Sequence, residues 1–405
     1  MKNIYLAFGL TSLLAGSILF SSASIHALEL SGNISLQQRS FFNDPLDSRQ
    51  HNHYASFSTE PEIYHSWDND KQSVTFKPFY RHDQHDDKRT HADVRELSWL
   101  KVFDNWELNV GISKVYWGVT ETQHLVDIIN QTDQVENIDG EDKLGQPMIQ
   151  FSTEQDWGVL DFFILPGFRE RTFSDIDGRP RPELAAFPVF DSDAATYESS
   201  DEEHHIDYAF RWFSTYNDWE LGLSHFSGTS REPEIKFNGI NLVPHYDLIN
   251  QTGIDLQIIG EDLIWKLEFI SRENSKERFA ALTAGFEFTL VGISDSDTDL
   301  GIVIEYLFDD RNENATSPFQ NDITTAFRLS FNDVQSSELL LGITTDLDDQ
   351  TIATFLEGSR RIGESFKVEL EIRTFSNTNN KTNTAQILHY FRQDDFIQAE
   401  LAWYF

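Results

Sequence analysis

The sequence predicts an all-β fold: a transmembrane antiparallel β-barrel of about 18 strands (roughly 16–20), with long extracellular loops and short periplasmic turns. Three observations predict it. Many short segments alternate apolar and polar residues. After the first 27 residues, no apolar run reaches the ~18 residues of a membrane helix. Aromatic residues make up 13% of the chain. A strand between hydrocarbon and water must alternate, because successive side chains point to opposite sides of the sheet. A secreted β-sandwich or propeller is the alternative fold.

The N-terminal segment is typical of a secretory signal peptide. Lys2 precedes an apolar run from Ile4 to Leu14, and small residues follow before an expected cleavage after Ala27. A membrane-anchored helix is the alternative for this segment. Residues 1–27 are therefore predicted as a signal peptide, and residues 28–405 as one barrel domain made of hairpins.

Three turn-like segments share one pattern, in which Asp or Asn is followed by a Trp that opens the next strand: Phe103–Leu108, Glu154–Val159 and Tyr216–Leu221. Asp and Asn favour tight turns, and an indole favours the headgroup level of a membrane. We expect these segments to be periplasmic turns. The segment Asp127–Thr132 recurs as Asp247–Thr252, which an internal duplication of hairpins or convergent turn chemistry would explain equally.

The polar face of the alternating strands carries both signs of charge, which indicates a water-filled interior. A barrel of this size is wide enough to hold such a lumen. The basic side chains predicted to line the lumen are Lys77, Arg81, Arg211, Lys266 and Arg373.

Two long segments interrupt the hairpin pattern. The first runs from about Trp117 to Gln146 and carries its own short apolar run, so we expect it to fold into the lumen. The second runs from about Pro166 to Glu203 and is rich in arginine near its start. The alternative for both is a surface loop without a selecting role.

The last strand, Ile397 to Phe405, places apolar residues on one face and ends in an aromatic residue. It resembles the C-terminal strand of bacterial outer-membrane proteins. The resemblance implies an outer-membrane location in a Gram-negative bacterium and contact with lipid and lipopolysaccharide. It also implies recognition of Trp403 and Phe405 by the barrel-assembly machinery.

A second resemblance is carried by Tyr116–Gly118, Asp127–Asn130 and the stretch Phe168–Arg181. These motifs are similar to those of a poorly characterised group of proteobacterial outer-membrane proteins, distantly similar to alginate-export porins. Such porins pass an anionic polysaccharide through a basic constriction. By this resemblance, with Asp127 added from the first long loop, the predicted pore constriction comprises Arg169, Arg171, Arg179, Arg181 and Asp127.

The net charge of −36 departs from that pattern, because it attracts cations and repels anions at long range. It also disfavours nucleic-acid binding. Acidic residues cluster at Asp191–Glu203, Asp295–Asp299 and Asp346–Asp349, and we expect these clusters in loops at the cell surface. Divalent cations could bridge them to lipopolysaccharide.

No catalytic motif is visible. The adjacent His204 and His205 would point to opposite faces of a strand, and His225 and Ser227 share a face in a chain with 13 histidines. The Asp295–Asp299 run offers oxygen ligands for calcium but lacks the glycine and closing glutamate of an EF-hand loop. We predict no enzyme, no cofactor and no metal site.

The sequence therefore predicts a porin-like outer-membrane channel for passive passage of a small or extended hydrophilic solute. The alternative is a non-conducting surface barrel with a binding or structural role. Neither prediction names the solute.

Overall fold

The structure is a computed structural model that describes residues 28–182, 189–378 and 387–405. The predicted signal peptide, residues 1–27, lies outside these residues. Within the described chain, no helix is both long and apolar enough to cross a membrane. The described residues instead form an 18-stranded antiparallel sheet that closes on itself and a separate three-stranded sheet. The predicted fold class is confirmed.

The strands are numbered in chain order. Those of the barrel are β1 (Glu29–Phe41), β2 (His53–Trp67), β3 (Gln72–Asp83), β4 (His91–Val102), β5 (Trp106–Ser113), β6 (Gln146–Gln155), β7 (Gly158–Pro166), β9 (Ile206–Tyr216), β10 (Trp219–Thr229), β13 (Leu248–Ile259), β14 (Leu263–Glu273), β15 (Arg278–Leu290), β16 (Asp299–Asp309), β17 (Asn321–Ser330), β18 (Glu338–Asp346), β19 (Ile352–Ile362), β20 (Phe366–Ser376) and β21 (Phe396–Tyr404). The small sheet contains β8 (Thr196–Tyr197), β11 (Glu234–Phe237) and β12 (Leu242–Tyr246).

The barrel closes where the first strand pairs with the last. Asn33 lies opposite Tyr404 at one end of this seam, and Phe41 lies opposite Phe396 at the other. The register of β3 against β4 shifts between Lys77 and Pro78, since proline has no N–H to donate to the ladder. Arg95 is the extra residue in β4, and its side chain is buried inside the barrel.

The two ends of the barrel differ. Residues 103–105, 156–157 and 217–218 form tight turns, as predicted, at the end of the barrel that holds the first described residue, Leu28, and the last, Phe405. This end is called the end with the termini. The opposite end carries the long connections, including residues 167–205 and 377–395. One expectation is wrong: Asp295–Asp299 lies in and beside the turn between β15 and β16, at the end with the termini, and not among the long loops.

The outer surface of the barrel is apolar. In β21, Leu401 and Trp403 are exposed, whereas the intervening Ala402 is buried. Trp157, Trp219 and Trp265 are exposed close to the tight turns, the level at which indole rings favour a membrane interface. This belt is the surface expected of a barrel that crosses a membrane.

One connection occupies part of the interior. Residues 114–145, which join β5 to β6 and are called the inner loop, pack against the inner wall. Five inner-loop side chains meet apolar wall residues of β6 to β15 in one buried cluster: Trp117, Leu125, Val126, Ile128 and Ile129 against Met148, Phe163, Leu165, Ala209, Phe226, Ile249, Ile270, Phe279 and Ala281. The expectation that this loop folds into the lumen is confirmed.

The two similar segments of the sequence adopt different structures. Asp127–Thr132 lies in the inner loop, whereas most of Asp247–Thr252 belongs to β13. Asn130 is buried and donates to the carbonyl oxygens of Ser113 and Leu144, while Asn250 is exposed. The two segments therefore do not occupy equivalent positions of a repeated hairpin.

Candidate functional site

Two buried carboxylates of the barrel wall hold the start of the inner loop. Glu268 of β14 accepts hydrogen bonds from the backbone N–H groups of Val119, Thr120 and Val126, at 2.7, 3.0 and 3.1 Å. Glu305 of β16 accepts from the next two N–H groups, those of residues 121 and 122, each at 2.8 Å. Hydrogen bonds to a charged acceptor are stronger than neutral ones. The inner loop is therefore fixed to the wall along this stretch.

Glycine is required where the loop meets Glu268. Gly118 has a φ of +117°, and a Cβ atom added there would lie 2.6 Å from the Glu268 carboxylate. Both the backbone conformation and the close approach therefore exclude larger residues.

His124 joins the loop to itself and to the wall. Its Nε2 lies 3.3 Å from Glu141, and its Nδ1 lies 3.9 Å from Glu268. The nearby carboxylates of Glu141 and Glu268 raise the pKa of His124 from 6.5 to about 10, although burial opposes the shift. The imidazole is thus a cation at neutral pH and supports both carboxylates.

A cavity of about 600 Å³ remains between the inner loop and the opposite wall, and we call it the lumenal cavity. It runs toward the end with the termini, because Glu338 is the first residue of β18 and Asn33 lies in the half of β1 nearer to that end. Its lining includes nine acidic and four basic side chains: Glu60, Glu136, Asp139, Asp142, Glu338, Glu357, Glu369, Glu371 and Glu400, with Arg81, Arg95, Lys114 and Arg328. The cavity therefore favours cations.

Asp142 belongs to the inner-loop side of this cavity. Asp142 is exposed to the cavity but enclosed by the barrel wall, and this enclosure, together with the nearby charges of Glu136 and Asp139, raises the pKa of Asp142 from 3.8 to about 7. Burial also raises the pKa of Asp139, against the opposing effect of Arg373. The negative charge of the cavity consequently depends on pH near neutrality.

Three arginines of the wall and an adjacent loop close the cavity toward the long loops. Arg81 lies 2.7 Å from Glu136, Arg89 lies 2.9 Å from Asp83, and Arg95 lies 2.6 Å from Asp133. All of these side chains are buried. Although burial opposes the change, Arg81 and Arg89 lower the pKa of Glu136. The cluster pins the acidic end of the inner loop to β3 and β4.

Arg39 of β1 connects three parts of the same closure. Its guanidinium group donates to the side chain of Gln398 at 2.7 Å and to the carbonyl oxygens of Glu136 and Arg179 at 3.2 and 3.3 Å. The three acceptors belong to β21, the inner loop and the second long loop. In this conformation the passage is covered at the long-loop end.

The basic residues predicted to line the lumen all lie on the inner face of their strands, and each has an acidic partner. Lys77 lies 2.8 Å from Glu62, Arg211 lies 2.7 Å from Asp255, and Lys266 lies 2.5 Å from Glu121. Arg81 pairs with Glu136, and Arg373 lies 3.0 Å from Asp139. Their charges are thus compensated locally, and Glu136 and Asp139 of the cavity lining take part in this compensation.

The residues predicted as a constriction do not line the lumenal cavity. Arg169 lies 2.8 Å from Asp93, Arg171 donates to the carbonyl oxygen of Arg231 at 2.7 Å, and Arg179 lies 2.7 Å from Asp394. The backbone N–H of Arg181 also donates to Asp394, and Asp127 lies 3.5 Å from Lys143. In this conformation these residues hold loops together, and their role as a filter stays a prediction.

Sequence reasoning missed the residues that form the cavity and its anchors. Glu268 and Glu305 are fully buried at inward positions of their strands. A carboxylate at an inward position of a barrel strand was the available signal, but it does not reveal a partner 148 or 184 residues away. Asp142 and Glu136 belong to no recognisable sequence motif.

Comparisons with known proteins address the fold. No protein-family model and no curated protein matches the chain. Among solved structures, Wzi of Escherichia coli, an outer membrane protein involved in group 1 capsule assembly and a carbohydrate-binding β-barrel, matches with a TM-score of 0.52. That match has 8% identity and covers 91% of this chain and 83% of Wzi.

A triple mutant of the Rhodopseudomonas blastica porin also matches, with a TM-score of 0.45 and 10% identity over 94% of this chain and 100% of the porin chain. At such identities the similarity concerns the fold. No comparison links the chain to alginate-export porins. The chain thus has the closed antiparallel β-barrel fold that Wzi also has.

Proposed function

We propose that this protein is an outer-membrane channel for passive passage of a small hydrophilic solute, with a preference for cations. The observation that supports this proposal is the lumenal cavity, where acidic side chains outnumber basic ones. Low-dielectric walls strengthen the field of such a lining and raise the local concentration of cations. The loop arginines lie outside the lumenal cavity, and Arg169 and Arg179 are also paired with the carboxylates of Asp93 and Asp394.

The orientation follows from the same proposal. The end with the termini and tight turns faces the periplasm, and the long loops face the outside. Trp403 and Phe405 are each 42% exposed at the periplasmic end, which is compatible with recognition by the barrel-assembly machinery. The apolar belt contacts lipid, and the acidic outer loops contact lipopolysaccharide through divalent cations.

The test is conductance of the refolded protein in a planar bilayer, with cation-to-anion permeability measured under a salt gradient. We expect discrete steps and a cation preference. The double variant Glu60→Gln, Glu338→Gln removes two cavity carboxylates and should weaken the preference, whereas Glu202→Gln, an exposed loop residue, should not. Anion preference would contradict the proposal.

A non-conducting binding barrel is the second candidate, and the closure built on Arg39 and Arg179 supports it. Buried arginines with several partners are costly to separate, so the long-loop end could stay shut. The carbohydrate-binding barrel Wzi offers a model for this role. Absence of conductance from correctly folded protein, together with binding of a surface polysaccharide, would favour this candidate.

A further inference from the structure

Three potential metal ligands meet between the wall and the inner loop. His91 is the first residue of β4, and Asp133 and Glu136 belong to the inner loop. The Nε2 atom of His91 lies 3.7 Å from Asp133 Oδ2 and 3.8 Å from Glu136 Oε1. All three ligand atoms lie within 4.8 Å of one another.

The hydrogen bonding of His91 determines what its Nε2 atom can do. Nδ1 lies 3.0 Å from the carbonyl oxygen of Arg89, which can only accept, so Nδ1 carries a proton. In the neutral ring, Nε2 then presents a lone pair. Nε2 is buried and has no hydrogen-bond partner. The two carboxylates, each also paired with an arginine of the wall, therefore face one unpartnered nitrogen lone pair.

We propose that His91, Asp133 and Glu136 bind a divalent transition-metal ion such as Zn²⁺. One imidazole nitrogen and two carboxylate oxygens form a ligand set that suits zinc better than calcium or magnesium. Tetrahedral zinc ligands lie about 3.4 Å apart, so a small inward movement of the side chains completes the geometry. A solvent molecule would fill the fourth position.

The surrounding groups fit a metal centre. A histidine ligand commonly donates its other ring N–H to a backbone carbonyl, as His91 does to Arg89. Ligating carboxylates are also hydrogen-bonded in turn, as Asp133 is to Arg95 and to Thr172. These bonds leave lone pairs on the carboxylates for a metal. The nearby guanidinium charges work against a cation, so an added proton on Nε2 is the competing occupant.

The proposed metal site borders the lumenal cavity. Glu136 and Arg95 line it, so an ion concentrated by the acidic lumen can reach the site. Because His91 belongs to the wall and its partners to the inner loop, the ion would fix the acidic end of the loop to β4. This proposal does not require an open lumen.

Calorimetric titration of ZnCl₂ into the refolded, detergent-solubilised chain tests it. We expect one ion per chain, no displacement by excess MgCl₂, and an affinity reduced about tenfold or more in His91→Ala. The matched control is His245→Ala, because His245 also contacts a carboxylate, Asp247, at 3.1 Å. Circular dichroism confirms that each variant is folded.

Zinc X-ray absorption on the loaded protein provides a second readout and should detect one nitrogen ligand among oxygens. Binding that survives His91→Ala overturns the proposal. Absence of saturable binding also overturns it and identifies a proton as the occupant. Since neither readout measures conductance, failure of this site is distinguishable from failure of the channel proposal.

Discussion

Arg179 and Asp394 form a buried ion pair across 215 positions of the sequence, with 2.7 Å between Nε and Oδ1. Their side chains are 0% and 2% exposed. Arg179 also donates to the carbonyl oxygens of Asn43, His51 and Gln393. One guanidinium group thus joins the second long loop to the first and last connections at the same end of the barrel.

Asp394→Asn should loosen this junction. Removing one partner of a buried pair typically costs about 3–5 kcal/mol, because the other charge stays buried. We expect faster proteolysis of residues 167–205 and a larger conductance in bilayers. The control is Asp201→Asn, an exposed position within residues 167–205, the connection whose proteolysis is measured. Wild-type cleavage and conductance in Asp394→Asn would show that the pair does not hold the closure.

Asp142 should make ion preference depend on pH. Since the pKa of Asp142 is raised to about 7, the carboxyl is neutral below that value and charged above it. Cation preference should therefore increase as pH rises through about 7, and Asp142→Asn should remove this step. Reversal potentials across a series of pH values measure it. An unchanged step in the variant would assign the titration to another group.

Glu268→Gln should weaken the attachment of the inner loop. The N–H groups of Thr120 and Val126 donate to different oxygens of the Glu268 carboxylate. Glutamine has only one acceptor oxygen, so it cannot accept both hydrogen bonds. Loss of charge-assisted hydrogen bonds is worth about 1.5–3 kcal/mol, measurable as a lower urea midpoint and as noisier channel openings. Glu273→Gln, farther along the same strand, should leave the midpoint within error of the wild type.

The stabilising effect of His124 should decline at alkaline pH. Its pKa rises from 6.5 to about 10 on folding, so the stabilisation is complete below pH 6.5 and is lost as pH rises through about 10. The stability difference between the wild type and His124→Gln should shrink across this window. A difference independent of pH would indicate packing and not charge.

The strands of this barrel can be predicted from sequence because lipid and lumen impose a period of two. Ile397, Leu401 and Trp403 show that period, and the inward positions of Lys77 and Arg81 follow from it. The partners of inward side chains cannot be predicted in this way. They depend on how a loop folds inside the barrel, a matter of contacts between distant residues.

The arginines of residues 169–181 illustrate this limit. Their sequence reveals a local density of positive charge but not the acidic residues that pair with them. Asp93 lies 76 positions from Arg169. Conversely, His91, Asp133 and Glu136 are too far apart in the chain to read as a metal motif, and only the fold brings them together.

The apolar strip on the inner wall constrains the order in which the barrel is made. The inner loop is synthesised before the strands β7 to β15, whose apolar side chains it covers. The seam between β1 and β21 can form only after the last strand exists. We therefore expect the inner loop to occupy the interior before the seam closes, because a chain without the loop would enclose an apolar strip exposed to water. We expect a shortened inner loop to reduce the yield of assembled barrel, so that impaired assembly would be observed ahead of any increase in pore width.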